Sequence, residues 1–214
     1  THGFGEGLNP VEQDRYILFW ARGCNWSNRV SIVIELLGLM NTIKVAIVDW
    51  TERPENLGWE FVHSPDRINP ETGTRFLSEL YDLTDNSYCG RTTVPALVDY
   101  RQKKVVNNDY HRLTNHLETA FAPFHKKGAP DLYPMDFREE IDQLNDWLLD
   151  NVNNAIYRAQ FAQSLQAFAD GYETFFAGLD AMEERLADCR FLFGDYVTDS
   201  DIRLFTTLAR LDVG

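Results

Sequence analysis

The fold is decided by a stretch near the start of the chain, residues 16–27, with the sequence YILFWARGCNWS. Its opening run of aromatic and β-branched residues is typical of a buried strand. Cys24 follows this run, and apolar residues then recur at helical spacing between Arg29 and Leu39. Residues 44–48, KVAIV, predict a second strand. We therefore predict a parallel pair of strands joined by a helical crossover, with Cys24 where the first strand gives way to the helix.

The segment after the second strand, residues 51–85, carries prolines, glycines and mixed polarity. We expect an insertion beside a functional cleft here, with a short helix at residues 75–81. Farther along, residues 93–99 and 104–107 predict a hairpin of two strands, and residues 110–121 predict a helix. These elements complete a small α/β unit.

A linker is indicated by residues 125–133, HKKGAPDLY, which combine proline, glycine and charge. Beyond it the apolar residues recur at helical spacing, and residues 198–201, TDSD, form a capping-box pattern ahead of the last helix. We therefore predict an α/β domain at residues 1–123 and an all-helical domain at residues 134–214. We expect the helical domain to continue beyond Gly214, since no polar tail follows its last apolar helix.

The composition excludes several classes of partner. With 33 acidic and 20 basic residues the net charge is −13, which argues against a nucleic-acid partner because phosphate binding needs a concentrated basic surface. No apolar run is long enough to cross a bilayer, and the first residues show no secretory leader. Cys24, Cys89 and Cys189 are an odd and widely spaced set, which suits neither a disulfide framework nor a zinc site. We expect a reducing, cytoplasmic location.

Cys24 is the strongest candidate for chemistry. A thiol at the first turn of a helix feels the positive end of the helix dipole and the unpaired backbone N–H groups, and Arg22 and Arg29 add positive charge nearby. These surroundings favour the thiolate, which is the reactive form. The alternative is that Cys24 is a small buried hydrophobic residue. Because Ser27, rather than a second cysteine, lies three positions on, we expect a monothiol mechanism.

A second signal is Val94-Pro95, at the start of a predicted strand. A proline in this position usually marks a turn or a cis peptide, which would leave the backbone of Val94 free to pair with an extended, peptide-like ligand. The alternative is an ordinary proline at the edge of the sheet. The strand–Cys24–helix unit makes us favour the functional interpretation.

Other candidates carry weaker signals. Asp109 is predicted to be the N-cap of the helix at residues 110–121, although a helix start there could also hold a ligand carboxylate or amine. Tyr157 could offer a phenol to a substrate, although a tyrosine on a helix is more often a core residue. The five histidines show no paired spacing, so we expect no metal site.

From about Trp20 to its end, the chain resembles the glutathionyl-hydroquinone reductases, an omega-like branch (the Xi class) of the glutathione transferases. The resemblance is carried by residues 23–27 (GCNWS), 58–61 (GWEF), 90–97 (GRTTVPAL), 106–109 (VNND), 153–159 (NNAIYRA) and 198–205 (TDSDIRLF). It implies a thioredoxin-like N-terminal domain that binds the thiol, an all-helical glutathione-transferase C-terminal domain, and a homodimer.

The resemblance also implies a reaction and a set of site residues. Cys24 would attack the sulfur of a glutathionyl-hydroquinone or a related quinone-derived S-conjugate, and a second thiol would resolve the mixed disulfide that forms on Cys24. Tyr157 matches a tyrosine that faces the hydroquinone. The residues expected to bind the thiol are Trp26, Trp59, Arg91, Val94, Asp109 and Tyr110.

Two departures from the family pattern affect the thiol. The usual Cys-Pro-Trp-Ala is replaced by residues 24–27, CNWS, and a Glu-Ser pair is replaced by Asp109-Tyr110. A lost charge-assisted hydrogen bond at the glutamyl end would cost about 1.5–3 kcal/mol. The co-substrate is therefore expected to be glutathione, bound in a different way, or another low-molecular-weight thiol.

Two alternatives stay open. The same fold could serve as a non-catalytic binding or scaffold protein, and the changes at Asn25 and Asp109-Tyr110 motivate this alternative. Conventional conjugation of glutathione to electrophiles is disfavoured, because a cysteine at this position captures the thiol as a disulfide rather than activating it.

Overall fold

The computed structural model describes residues 3–5, 9–51 and 58–211. The chain divides into two units, Thr1–Ala129 and Pro130–Gly214. The first contains strands and helices, and the second, in its described residues, is built from helices.

The N-terminal unit is organised around a four-stranded sheet. Its elements are β1 (Tyr16–Trp20), α1 (Asn25–Leu37), β2 (Ile43–Ile47), β3 (Asp49–Thr51), β4 (Gly58–Glu60), α2 (Leu77–Thr84), β5 (Ala96–Asp99), β6 (Lys104–Asn107) and α3 (Leu113–Thr119). The strand order is β2-β1-β5-β6, with β1 parallel to β2 and antiparallel to β5, while β5 and β6 form an antiparallel hairpin. The predicted parallel crossover and the predicted hairpin are therefore confirmed.

The apolar sequence pattern explains how this sheet is buried. Ile17 and Phe19 of β1 enter a core cluster with Leu77 and Leu80 of α2, and Phe61 packs against Phe19 with ring centroids 4.8 Å apart. The helix α1 ends at Gly38, which adopts a left-handed conformation (φ 75°) that a residue with a side chain rarely tolerates. At the other end of α1, the backbone N–H of Cys24 donates a hydrogen bond to the carbonyl of Ala21 at 3.1 Å, so the helix starts one turn after β1.

Some predicted bounds were wrong. The helix predicted from Arg29 begins earlier, at Asn25. Its first turn, NWSN, has no apolar stripe, so the apolar pattern could not reveal that this turn is helical. The short helix expected at 75–81 is Leu77–Thr84, and the helix expected at 110–121 is only Leu113–Thr119. The region 51–85 also contributes strand β4, which pairs with β3 in a small antiparallel sheet that sequence patterning did not predict.

The C-terminal unit consists of α4 (Arg138–Leu148), a π-helical turn (Leu149–Asn153), α5 (Asn154–Gln160), α6 (Leu165–Leu186) and α7 (Asp199–Leu208). Its core includes Leu148, Val152 and Phe175. The helices α5 and α6 approach each other closely at Gly171, where an added Cβ would lie 2.7 Å from the backbone nitrogen of Ala159. The short separation requires glycine at this position.

Polar side chains at the start of α7 are buried and paired. The capping box predicted from TDSD is confirmed, because the Asp201 carboxylate accepts hydrogen bonds from the backbone N–H and the hydroxyl of Thr198, both at 2.8 Å. Asp199 accepts hydrogen bonds from Arg203 at 2.6 Å and from Asn145 of α4 at 3.0 Å. This network joins α7 to α4. Within the described part of the chain, no helix is long and apolar enough to cross a membrane.

Candidate active site

Cys24 occupies the N-cap position of α1, directly before the first helical residue, Asn25. Its side chain is partly exposed and packs against the core cluster that contains Ile17 and Phe19. The thiol donates a hydrogen bond to the backbone carbonyl of Val94, with 3.7 Å between Sγ and the oxygen. Cys24 is therefore neither a deeply buried core residue nor part of a disulfide.

The loop that faces Cys24 contains the predicted proline. The Val94-Pro95 peptide bond is cis, as the sequence suggested. Thr93, which precedes Val94, accepts a hydrogen bond at its carbonyl oxygen from the hydroxyl of Tyr81 of α2 at 3.0 Å. Burial raises the pKa of Tyr81 above its ordinary value, so this phenol stays protonated and remains a donor. The loop that places the Val94 carbonyl beside Cys24 is thus fixed from α2.

A cavity of about 390 Å³ lies next to this loop. The cavity is lined by Trp26, Trp50, Trp59, Arg91, Thr92, Thr93, Val94 and Tyr110. All of the predicted thiol-binding residues except Asp109 are in this lining. The described lining offers one cation, two hydroxyl-bearing threonines and several aromatic faces, a set that suits a small ligand with a carboxylate and a thin, flexible body.

One wall of the cavity is a stack of side chains on α1 and the loop after β6. The rings of Trp26 and Tyr110 lie 4.8 Å apart at 43°, and the guanidinium carbon of Arg29 lies 5.6 Å from the centroid of the Trp26 ring. Arg29 is only 1% exposed. Arg29, one of the two cations expected near Cys24, is therefore placed against Trp26 on the helix that Cys24 precedes.

Another part of the lining is carried by the small β3–β4 sheet. Trp50 and Trp59 are cross-strand partners, and their rings meet edge to face with centroids 5.4 Å apart. The sheet is anchored by the fully buried carboxylate of Glu60, which accepts a hydrogen bond from Arg75 at 2.7 Å. Sequence reasoning missed Trp50; the available signal was its position just beyond the second predicted strand, two residues after Val48.

Asp109 is placed differently from its prediction. Its carboxylate accepts hydrogen bonds from the backbone N–H groups of His111 (3.0 Å) and Arg112 (3.1 Å), and it is not part of the cavity lining. The helix α3 begins only at Leu113, with Arg112 in the N-cap position. The prediction that Asp109 is the N-cap of this helix is therefore wrong: Asp109 caps the turn that precedes it.

Tyr157 lines a separate cavity of about 800 Å³ in the C-terminal unit, between α5 and α6. Its ring is parallel to that of Phe161, at an interplanar angle of 3° and a centroid distance of 6.2 Å. Phe161 is 70% exposed and was not predicted as a site residue. Arg158 and Asp170 also line this cavity and give it one charge of each sign.

In the described ranges, no group of three or more histidine, cysteine, aspartate or glutamate side chains is close enough to hold a metal ion. The cavity beside Val94 instead offers hydrogen-bonding and aromatic groups.

Comparisons with known proteins agree with this architecture. Residues 165–213 match the family described as glutathione S-transferase, C-terminal domain. Glutathione S-transferase omega-like 2 of Schizosaccharomyces pombe is 37% identical, and the match covers 98% of this chain and 70% of that protein. Glutathionyl-hydroquinone reductase YqjG of Escherichia coli is 38% identical, and the match covers 97% of this chain and 63% of that protein.

Solved structures give the same result. The glutathione-bound structure of YqjG, a glutathione transferase homolog, matches with a TM-score of 0.87 at 36% identity, covering 97% of this chain and 67% of that one. Glutathione transferase Xi 1 of Trametes versicolor matches with a TM-score of 0.89 at 34% identity, covering 99% and 74%. The sheet with Cys24 at its helix start and the all-helical unit thus define a protein of the glutathione-transferase fold. The chain belongs to the glutathione S-transferase family, in its Xi-class, omega-like branch, and the predicted fold class is confirmed.

Proposed function

We propose that this chain is a cysteine-type glutathione transferase that acts as a thiol reductase. It removes glutathione, or a related small thiol, from S-conjugates such as glutathionyl-hydroquinones. The observation that carries the proposal is the position of Cys24: an accessible sulfur at the N-terminus of α1, held 3.7 Å from the Val94 carbonyl that borders the aromatic cavity. The reductase name of YqjG, at 38% identity, supports the same reaction.

The reaction has two steps that balance in atoms and electrons. The Cys24 thiolate attacks the conjugate sulfur, so an S–S bond forms while the bond between that sulfur and the ring carbon breaks. The bonding pair stays with the ring carbon, which takes a proton and leaves as part of the free hydroquinone. A second thiolate then attacks the mixed disulfide, forming the small-molecule disulfide and releasing Cys24 as a thiolate. Overall, one free thiol and the sulfur of the conjugate are oxidised to a disulfide, and the ring carbon is reduced as its bond to sulfur is replaced by a bond to hydrogen.

The cavity residues have matching roles in this proposal. Arg91 pairs with a carboxylate of the thiol, because it is the cation of the described lining. Trp26, Trp59 and Tyr110 pack against the body of the peptide, and the backbone of Val94 pairs with it as a neighbouring strand would. Asp109 acts indirectly, by shaping the turn that carries Tyr110.

Tyr157 is proposed to contact the aromatic part of the conjugate from the helical unit. Its cavity contains Phe161 with a parallel ring, and an aromatic pair that is partly exposed in this way suits a planar phenolic ring. We thus propose two catalytic residues: Cys24, on the geometry described above, and Tyr157, on the resemblance to the family.

The test uses a glutathionyl-hydroquinone and glutathione as co-substrates, with chromatographic detection of free hydroquinone and glutathione disulfide. We expect Cys24→Ala to lower the rate by at least about a thousandfold, as loss of a nucleophile does. The exposed Cys89→Ala is the matched control and should retain full activity. Full activity of Cys24→Ala would refute the proposal.

The products also separate the remaining alternatives. Conventional conjugation would consume an electrophile and yield a thioether, with no hydroquinone or disulfide released. A scaffold protein would show no turnover of either kind. The relatives compared above bear the names of enzymes, which gives the scaffold alternative no support.

We further propose that the protein works as a homodimer in the cytoplasm, without a metal cofactor and without a nucleic-acid or membrane partner. The free cysteines support the cytoplasmic location. The net charge of −13 supports the absence of a nucleic-acid partner. We also propose residues 1–123 as the thiol-binding domain and 134–214 as the helical one. Sedimentation analysis of the purified protein tests the dimer directly.

A further inference from the structure

Ser27 is a buried polar residue three positions after Cys24. It is the third residue of α1, and its exposed fraction is 0%. Its hydroxyl makes no hydrogen bond with any residue of the described part of the chain. An unpaired buried hydroxyl is unfavourable, and a persistent one usually has a partner in a ligand, a water molecule or a reacting group.

The position of Ser27 on the helix supplies such a partner. Cys24 is the N-cap and Ser27 is the N3 residue, and the side chains of these two positions lie next to each other at a helix start. In Cys-X-X-Cys motifs the same spacing brings two sulfurs close enough to form a disulfide, with Cβ atoms about 3.5–4.5 Å apart. The Ser27 hydroxyl therefore occupies the place of the second sulfur of a dithiol motif.

Ionisation of Cys24 changes what its sulfur needs. In the structure, the neutral thiol donates to the Val94 carbonyl. A thiolate has no proton to donate, so the carbonyl oxygen would then face an anion. The sulfur requires a donor instead, and the Ser27 hydroxyl has no competing acceptor among the described residues. The two groups are not hydrogen-bonded in the structure, so the contact requires a rotation of one of the two side chains.

We propose that Ser27 is a catalytic residue whose hydroxyl donates a hydrogen bond to the Cys24 thiolate. It does so in the free enzyme and again when the sulfur leaves the mixed disulfide. The proton stays on Ser27 throughout, so the balance of the reaction is unchanged. This inference rests on the proposed function. The family pattern that the chain resembles has alanine in this position, so the donor is a feature of this sequence.

The first experiment measures the rate of Cys24 alkylation by iodoacetamide against pH, in a background with Cys89 and Cys189 changed to serine. We expect Ser27→Ala to move the midpoint of the profile upward by about one pH unit, which corresponds to about 1.4 kcal/mol. The matched control is Ser31→Ala on the same helix, whose hydroxyl is already bonded to the carbonyl of Asn28 at 2.9 Å. The control midpoint should not move.

A midpoint for Ser27→Ala within about 0.2 pH unit of the parent would overturn the inference. A second variant tests the geometry without relying on the alanine variant. Ser27→Cys should form an intramolecular disulfide with Cys24 when treated with diamide, detectable by mass spectrometry of the linked peptide. Absence of that disulfide in folded protein would also overturn the inference. Both outcomes leave the proposed function intact, since that function fails only if Cys24→Ala remains active.

Discussion

Tyr110 offers a test of how the cavity recognises its thiol. Its ring is held 4.8 Å from Trp26, a contact worth about 0.5–1.5 kcal/mol beyond area burial. Its hydroxyl makes no hydrogen bond within the described ranges, and the residue is 38% exposed in the cavity lining. Tyr110→Phe keeps the ring contact and removes only the hydroxyl. We therefore expect the free energy of unfolding to change by less than about 0.5 kcal/mol.

The effect on the ligand should be larger. A neutral hydrogen bond contributes about 0.5–1.5 kcal/mol, and 1.4 kcal/mol is a tenfold change, so the KM for the thiol should rise by about two- to twelvefold. The kcat should not change, because the phenol is assigned to binding. The assay is steady-state kinetics with glutathione as the varied substrate. Tyr196→Phe, which alters an exposed tyrosine of the helical unit, is the control. An unchanged KM in Tyr110→Phe would show that this hydroxyl forms no hydrogen bond with the bound thiol.

The remaining predictions concern stability. Asp199→Asn removes the negative charge from a buried ion pair with Arg203, whose side chain is 1% exposed; the loss should be about 3–5 kcal/mol, or about 6–20 °C in Tm by calorimetry. Gly171→Ala should cost about 1–3 kcal/mol in urea unfolding, because the new Cβ would meet the backbone nitrogen of Ala159 at 2.7 Å. Burial lowers the pKa of His116 below 6.5, against the opposing effect of Asp109. Unfolding therefore takes up a proton, so stability is present above pH 6.5 and is lost as the pH falls through the lowered pKa.

Matched variants sharpen these three tests. Asp180→Asn on the exposed side of α6 should leave the Tm unchanged, whereas an equal fall in both aspartate variants would contradict the buried-pair argument. Ala177→Ser, at an exposed position of the same helix, is the control for Gly171→Ala. His116→Gln should flatten the decline in stability below pH 6.5, and an undiminished decline would assign it to other groups.

Much of the site was predictable because its elements are encoded locally. The strand Tyr16–Trp20 forms with the bounds that its apolar run indicated, and Gly38 ends α1 as a left-handed cap. The capping box before α7 follows from the spacing of Thr198 and Asp201. In each case the residues that determine the structure lie within a few positions of one another.

The elements that were missed depend on distant partners. Strands β3 and β4 are only three residues long, and they are held together by the Trp50–Trp59 pair and by the Glu60–Arg75 contact rather than by local propensity. Asp109 carries a strong capping signal, yet the turn that it caps ends before the helix begins. Short-range patterns do not specify such tertiary choices.

The central claim is that Cys24 accepts the thiol from the conjugate. The most direct measurement is a single-turnover reaction of the protein with one equivalent of glutathionyl-hydroquinone and no free thiol, followed by peptide mass spectrometry. Glutathione attached to the peptide that contains Cys24, together with an equal amount of free hydroquinone, is the expected result. Hydroquinone release with the adduct on Cys89 or Cys189, or with no adduct at all, would contradict the claim.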